Sequence, residues 1–229
     1  MLGVLALACG CATTGEPDPA DPWEGFNRGV YQFNEATDTV IFNPVGEVYD
    51  AITPRVVDDG VSNFFSNLGD IAVAANDFLQ LDFHQGMTTV TRFVLNSTLG
   101  VGGIFDFSGT YAGSPKTEND FGLTLAHYGV ESGPYLVLPL FGPSSVRDTS
   151  RSVDGFMNPL FYLGNHDTLK YSLMALNFVD IKSDLASTQG LVQEAALDEY
   201  DFVKSAYLER RRAQIEGGTN PDMQDMDAY

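Results

Sequence analysis

Positive charge is scarce in this chain. Twelve Lys and Arg stand against 31 Asp and Glu in 229 residues, a net charge of −19. Nucleic acid is excluded as a partner, because phosphate binding rests on clustered Lys and Arg that displace counterions. A polybasic grip on anionic lipid is excluded for the same reason. Charge of any sign is thin, at 19% against the roughly 25% usual for soluble domains. No run approaches the roughly 20 apolar residues of a spanning helix. There are only two cysteines, Cys9 and Cys11, and their Cys-x-Cys spacing argues against a structural disulfide. What the chain does have is apolar material: 44% hydrophobic and 12% aromatic residues, including 16 Phe. That is enough to offset chain entropy, so a folded body is expected.

The cysteines close an uncharged apolar stretch that begins at Met1 and meets no charge before Glu16. This is the pattern of a bacterial lipoprotein signal, with the apolar region running into the cysteine that receives lipid. Cys11 is preferred as the lipidated residue because Ala8 and Gly10 are the small residues expected before cleavage; Cys9, preceded by Ala8, is the alternative. Such signals carry a basic segment in front, so the native start is expected upstream of Met1. Ala12 follows Cys11 where an Asp would mark retention at the inner membrane, which favours delivery to the outer one. One acyl chain anchors only marginally and each buried methylene adds about 0.8 kcal/mol, so several chains would hold even a strongly acidic protein.

The body reads as helices with short stops. Asp21-Pro22-Trp23-Glu24 has the order of an N-cap, a first-turn proline and a capping-box glutamate. Phe26, Val30, Phe33 and Val40 follow at helical spacing, and Asn43-Pro44 repeats the start signal ahead of Val45, Val48 and Ile52. Further stripes run Val57-Val61-Phe65-Leu68, Ile71-Ala75-Phe78 and Phe83-Met87-Val90-Val94. Gly100, Gly102 and Gly103 break the pattern, and residues 104–109 read as a loop. Thr117 is a candidate cap for a helix through Ala126, and Ser145 for one carrying Val146, Val153 and Phe156. Two last helices are expected over Asp167–Val179 and Leu197–Glu216, the second with Phe202, Val203, Ala206 and Tyr207 inward. Between Gly133 and Pro143 the apolar segment Tyr135, Leu136, Val137, Leu138, Pro139, Leu140, Phe141 is bounded by Gly-Pro at both ends. Pro139 excludes a continuous helix, so a hairpin-like extended segment with an exposed edge is expected. The predicted divisions are a signal remnant over 1–11, a linker over 12–20, a helical domain over 21–217 and a disordered acidic tail over 218–229.

Catalytic parts are missing. There is no HExxH, GxSxG, Walker loop or paired CxxC. His84, His127 and His166 are far apart with no ligand spacing, and Gly100–Gly103 matches half a nucleotide fingerprint but reads as a tight turn. Glu24 and Arg28 read as an i, i+4 helix pair. No enzyme, cofactor or metal is expected.

Several blocks in order carry a resemblance. Asp21–Arg28 with Tyr31, Phe33-Asn34 and Pro44-Val45 resembles the opening signature of the MlaA/VacJ lipoproteins. The similarity continues through Ser62-Asn63-Phe64, Asn76-Asp77-Phe78-Leu79-Gln80, Gln85-Gly86-Met87, Thr91-Arg92-Phe93, Asn96–Gly100 and Gly102–Asp106. It extends to Phe121–Val130, Gly133-Pro134-Tyr135, Leu138-Pro139, Gly142-Pro143 and Arg147-Asp148. The resemblance implies a mainly α-helical ring of short amphipathic helices in the membrane interface, around a channel. It implies an outer-membrane lipoprotein of a Gram-negative bacterium, held at the periplasmic leaflet. Its task would be to remove mislocalised phospholipid from the outer leaflet and pass it to the periplasmic carrier MlaC, beside a trimeric porin. Residues 135–141 are the candidate gate, and Phe26, Asn27, Arg28, Phe33 and Asn34 the first-helix motif, with a structural role expected for Phe33-Asn34. A scaffold that binds porin without moving lipid is the alternative. The residues do not say which face of each stripe turns inward.

Overall fold

The computed structural model describes residues 18–162 and 167–217, with 187–195 described by their backbone alone. Cys9, Cys11, His166 and the acidic tail lie outside the described residues. Helix α1 (Glu24–Thr37) runs through a π-turn (Asp38–Phe42) into α2 (Asn43–Ile52). Pro44 has no N–H and would press on the carbonyl four residues back, and the wider turn just before it relieves that crowding. Helix α3 spans Arg55–Leu79 and α4 spans Phe83–Thr98, followed by two short helices, α5 (Phe107–Ala112) and α6 (Phe121–His127). A hairpin of β1 (Tyr135–Leu138) and β2 (Gly142–Ser145) leads into 3₁₀ segments over Asp148–Met157 and Pro159–Tyr162. Helices α7 (Asp167–Ala195) and α8 (Glu199–Gly217) complete the order.

Capping decides several boundaries that periodicity places elsewhere. Asp82, Asp106 and Asp120 accept from the backbone N–H three residues on, at 2.9, 3.0 and 2.9 Å, and start α4, α5 and α6. Residues 107–109, expected as loop, are therefore helical. Thr117 caps nothing; its hydroxyl accepts from Gln85 Nε2 at 2.9 Å. Ser145 ends β2, while its Oγ accepts from Asp148 N at 3.2 Å and opens a 3₁₀ segment rather than an α-helix. The stripes over 57–68 and 71–79 belong to one helix, α3, since Gly69 meets no neighbour and keeps ordinary helical backbone. Asp21 is not the N-cap of α1, because its side chain is taken up by tertiary partners. Helix α7 runs sixteen residues beyond Val179.

The packing closes on itself. Helix α1 meets β1, β2 meets α8, α8 meets α7, and α7 meets α2, which is continuous with α1. Helix α3 spans this circuit by touching α7 and α6, and α4 packs along α3. Among the described residues, 22 polar or charged side chains are buried against 8 apolar ones. The apolar ones include the cluster Tyr135, Val137 and Tyr200, packed by Val30, Tyr31, Tyr207 and Leu208.

Outside, the order is inverted. Phe26, Phe33 and Val40 of the first helical stretch are exposed, as are Val48 and Ile52 of α2 and Phe83, Met87 and Val94 of α4. On the opposite faces Asn27, Asn34 and Asp38, and Thr89, Arg92 and Asn96, are buried. In α8 the expectation holds for Tyr207, which packs against the Tyr135 cluster, and fails for Phe202 and Ala206, which face out, while Tyr200, Lys204 and Arg211 face in. Exposed apolar surface on this scale marks contact with an apolar medium or partner. No helix among the described residues is long and apolar enough to cross a membrane.

Candidate functional site

The hairpin sits where α1 and α8 converge, and α1 holds it through two asparagines seven residues apart. Asn27 accepts from Val137 N at 2.9 Å and donates to Tyr135 O at 3.0 Å. Its amide thus serves the free edge of β1 as a neighbouring strand would. Asn34 donates to Leu138 O at 2.9 Å and accepts from Leu140 N at 2.7 Å. Tyr135 N donates to Ala20 O at 2.8 Å, continuing the same edge. The edge expected to be exposed is therefore covered, because side-chain amides carry the same donor–acceptor pair as a backbone unit. Leu140, at the turn, has φ +68°, an arrangement that costs a residue with a Cβ about 1–2 kcal/mol. The Asn34 contact holds that strained residue in place.

The candidate gate divides by face. Tyr135 and Val137 point inward and are buried, Leu136, Leu138 and Leu140 are half-buried, and Pro139 and Phe141 form the exposed tip. Phe26 and Phe33, each one residue before a clamping asparagine and so about 100° around the helix from it, are both exposed, so the first-helix motif separates into a clamp and an outer apolar face. Arg28 pairs with Glu24 at 2.7 Å, with Asp198 and Asp201 at 3.0 Å, and lies 4.3 Å above the Tyr200 ring. That ties α1 to the start of α8.

Buried charge locks the other side of the hairpin. Asp148, just past β2, accepts from Arg147 Nε at 2.9 Å, from Arg211 Nη2 at 3.0 Å and from Tyr207 OH at 2.5 Å. Arg211 also reaches Asp120 at 2.7 Å, so α8, α6 and the hairpin share one network. Burial alone would raise the Asp148 carboxyl, but hydrogen bonds from Arg211, Arg147 and Tyr207 outweigh it and hold it at about 2. Burial and then the Asp148 carboxylate push the Tyr207 phenol up. Asp21 accepts from Asn27 Nδ2 at 2.8 Å and from the Tyr200 hydroxyl, with Lys204 3.6 Å away.

A second polar network runs along α3. Thr124 Oγ1 donates to Asn76 Oδ1 at 2.8 Å, and Asn76 Nδ2 to Asp154 at 2.9 Å. Asn119 and Thr89 donate to Asp77 at 2.6 and 2.9 Å. Asp77 and Asp154 are both pushed up by burial, which the hydrogen bonds only partly offset. Further along, Asn67 donates to Ser97 Oγ at 3.0 Å and Asn96 to Asp106 at 2.9 Å, closing the glycine turn onto α3 and α4. Gly103 has φ +94°, and a Cβ there would stand 2.6 Å from Asn67 Nδ2.

Sequence reasoning names the motif blocks but not Asp77, Asp148, Tyr200 or Arg211 as organising residues. Their signal is the polar half of each stripe: 27 and 34, then 70 and 77, then 89, 92 and 96, at helical intervals of three, four and seven. His84 and His127 sit at the second position of α4 and the last of α6. Among the described residues no group of three or more His, Cys, Asp or Glu could hold a metal. What the arrangement offers is hydrogen-bonding surface within and hydrocarbon-compatible surface without.

Comparison with known proteins agrees with this architecture. The family model described as MlaA lipoprotein matches residues 19–214. The intermembrane phospholipid transport system lipoprotein MlaA of Escherichia coli is 37% identical over 220 residues, covering 93% of this chain and 86% of that protein. An uncharacterised protein of Rickettsia felis is also 37% identical, over 86% of this chain and 78% of its own length. A chain solved in work on the structural basis for maintenance of bacterial outer membrane lipid asymmetry superposes with a TM-score of 0.73 at 34% identity. It covers 85% of this chain and 98% of its own.

Proposed function

The chain belongs to the MlaA lipoprotein family, and on that premise we propose that it serves the lipid-asymmetry system of a bacterial outer membrane. It removes mislocalised phospholipid from the outer leaflet and passes it to the periplasmic carrier MlaC. The supporting observation is the inverted distribution of polarity, with polar and charged residues inside and large apolar ones outside. A phospholipid headgroup needs hydrogen-bonding surface to cross, while its acyl chains stay in hydrocarbon. A closed circuit of helices of this polarity supplies both. The role is non-enzymatic: binding and passage, with direction set by removal at the carrier side.

Acyl chains on Cys11, or on Cys9, hold the protein at the periplasmic leaflet beside a trimeric porin. The 135–141 hairpin gates the path, and the Asn27 and Asn34 contacts set its closed position. The test is deletion of the gene with complementation. Outer-leaflet phospholipid and detergent sensitivity should rise and return to normal with the intact gene. Unchanged asymmetry with defective porin assembly would replace this reading with the porin scaffold. A Cys11→Ala protein should lose membrane retention; if Cys9→Ala does so instead, the lipid site moves to Cys9. Locking the hairpin tip to α1 by an engineered disulfide between positions 34 and 140 should abolish lipid export, restored on reduction. Normal export from the oxidised form would remove the gating role.

A further inference from the structure

Residues 113–119 join α5 to α6 as a strap without secondary structure of its own. The sequence, Gly-Ser-Pro-Lys-Thr-Glu-Asn, has no hydrophobic side chain besides Pro115, and that ring is exposed. The strap nonetheless lies across the polar stripes of α3 and α4. Ser114 O accepts from Arg92 Nη1, and Thr117 Oγ1 accepts from Gln85 Nε2 at 2.9 Å, both on α4. On α3, Lys116 Nζ donates to Ser66 O at 3.2 Å and Asn119 Nδ2 to Asp77 at 2.6 Å. Glu118 accepts from Arg210 of α8 at 2.5 Å. All of these holds are polar. Water can replace each of them at little net cost, whereas apolar burial has no such substitute.

Beneath the strap the pairing is incomplete. Asp70, Asp77, Thr89 and Arg92 are all buried. Arg92 bonds Ser114 and Asp106 through its two terminal nitrogens, but its Nε has no hydrogen-bond partner, and neither has Asp70 Oδ1. The cations nearest Asp70 stand off, Lys116 Nζ at 3.7 Å and Arg92 Nε at 3.8 Å. Burial pushes the Asp70 carboxyl up, and Lys116 and Arg92 offset this only in part. Burial raises Asp77 in the same way, against hydrogen bonds from Asn119 and Thr89. The closed strap thus keeps two carboxyls from water without pairing them fully, and lifting it would hydrate both. One end is fixed, because Arg211 holds Asp120 at 2.7 Å. The other is free to turn: Gly113 has φ +63°, and a Cβ there would meet nothing within 4 Å.

We infer that residues 113–119 form a polar lid over the facing stripes of α3 and α4, one that opens while the rest of the fold stays intact and admits water to Asp70 and Asp77. The inference does not depend on the transport reading above. An open lid gives water a route to the interior network of Asn76, Thr124 and Asp154, which starts one residue from Asp77.

The test is carboxyl footprinting of the full-length lipidated protein in detergent, with a water-soluble carbodiimide and glycine ethyl ester, read by peptide mass spectrometry. Each rate is normalised to that of the same carboxyl in urea-unfolded protein. Asp82 is exposed and should react fastest. Asp21 and Asp148 are buried away from the strap and should react only through global unfolding. Asp70 and Asp77 should fall between, about tenfold faster than Asp21 and Asp148, as a local opening requires. Thr117→Val removes one strap hold and touches neither carboxyl, so it should speed Asp70 and Asp77 together severalfold and leave Asp148 unchanged. Glu118→Ala repeats this from the α8 side should Thr117→Val not fold. Asp70 and Asp77 reacting no faster than Asp148 would overturn the lid. So would a strap variant that changes neither of them, only one of them, or all four buried carboxyls alike.

Discussion

Asn27 and Asn34 show how much a single amide can organise. Each satisfies one donor and one acceptor of β1 or its turn, and Asn27 also holds Asp21. Replacing a buried partner leaves the others unpaired at about 1–3 kcal/mol. Asn27→Ala should therefore lower stability by about 3 kcal/mol, seen as a drop in thermal midpoint in detergent. Asn34→Ala acts nearer the tip and should cost about 1–2 kcal/mol; faster hydrogen exchange at Leu140 N–H would locate its effect in the hairpin. Asp148 sets the acid limit. Its folded value of about 2 lies below its ordinary 3.8, so its contribution of about 2 kcal/mol is complete above pH 4 and lost as pH falls towards 2. Asp77 has the opposite sign: raised by burial, it favours the fold when protonated and ceases to as pH rises through its folded value. Asp77→Asn should leave neutral-pH stability unchanged or higher and remove part of the gain on mild acidification, measurable by denaturant titration across pH 4–7.

At the level of elements, most helices are legible in the sequence, and their ends are less so. The periodicity of α2, α4 and α8 and the hairpin around Pro139 all follow from short-range chemistry. The fusion of two stripes into α3 does not, because a glycine such as Gly69 breaks a helix only when the surroundings use its freedom. Asp21 is the converse case: a good capping sequence, yet its carboxylate goes to Asn27 and Tyr200, which lie far away in sequence or on another turn. The glycine turn after α4 is a case where freedom is used. Gly103→Ala combines φ +94° with a 2.6 Å clash against Asn67 and should cost about 1–3 kcal/mol. Its local signature would be faster exchange in residues 100–106 with α8 unaffected.

For the whole molecule, polarity decides behaviour. Val40 is 74% and Phe33 54% exposed, so replacing both by Asp removes nothing from the interior. Stability in detergent should stay within about 0.5 kcal/mol, while flotation of the unlipidated protein with phosphatidylethanolamine and phosphatidylglycerol vesicles should fall several-fold. Unchanged flotation would mean that the outer face of α1 does not meet lipid.

The ordered motif blocks and the apolar stripes suffice to place most of the helices and to identify the family, and the scarcity of cations argues against a nucleic-acid partner. A periodic stripe states only that two faces differ; it has no sign. Water outside would have drawn the apolar face inward, and hydrogen bonds such as Asn27 to the hairpin or Arg211 to Asp148 drew the polar face there instead. Those partners lie 63 to 110 residues apart along the chain, so only the tertiary fold could bring them together and decide which side of each helix is the interior.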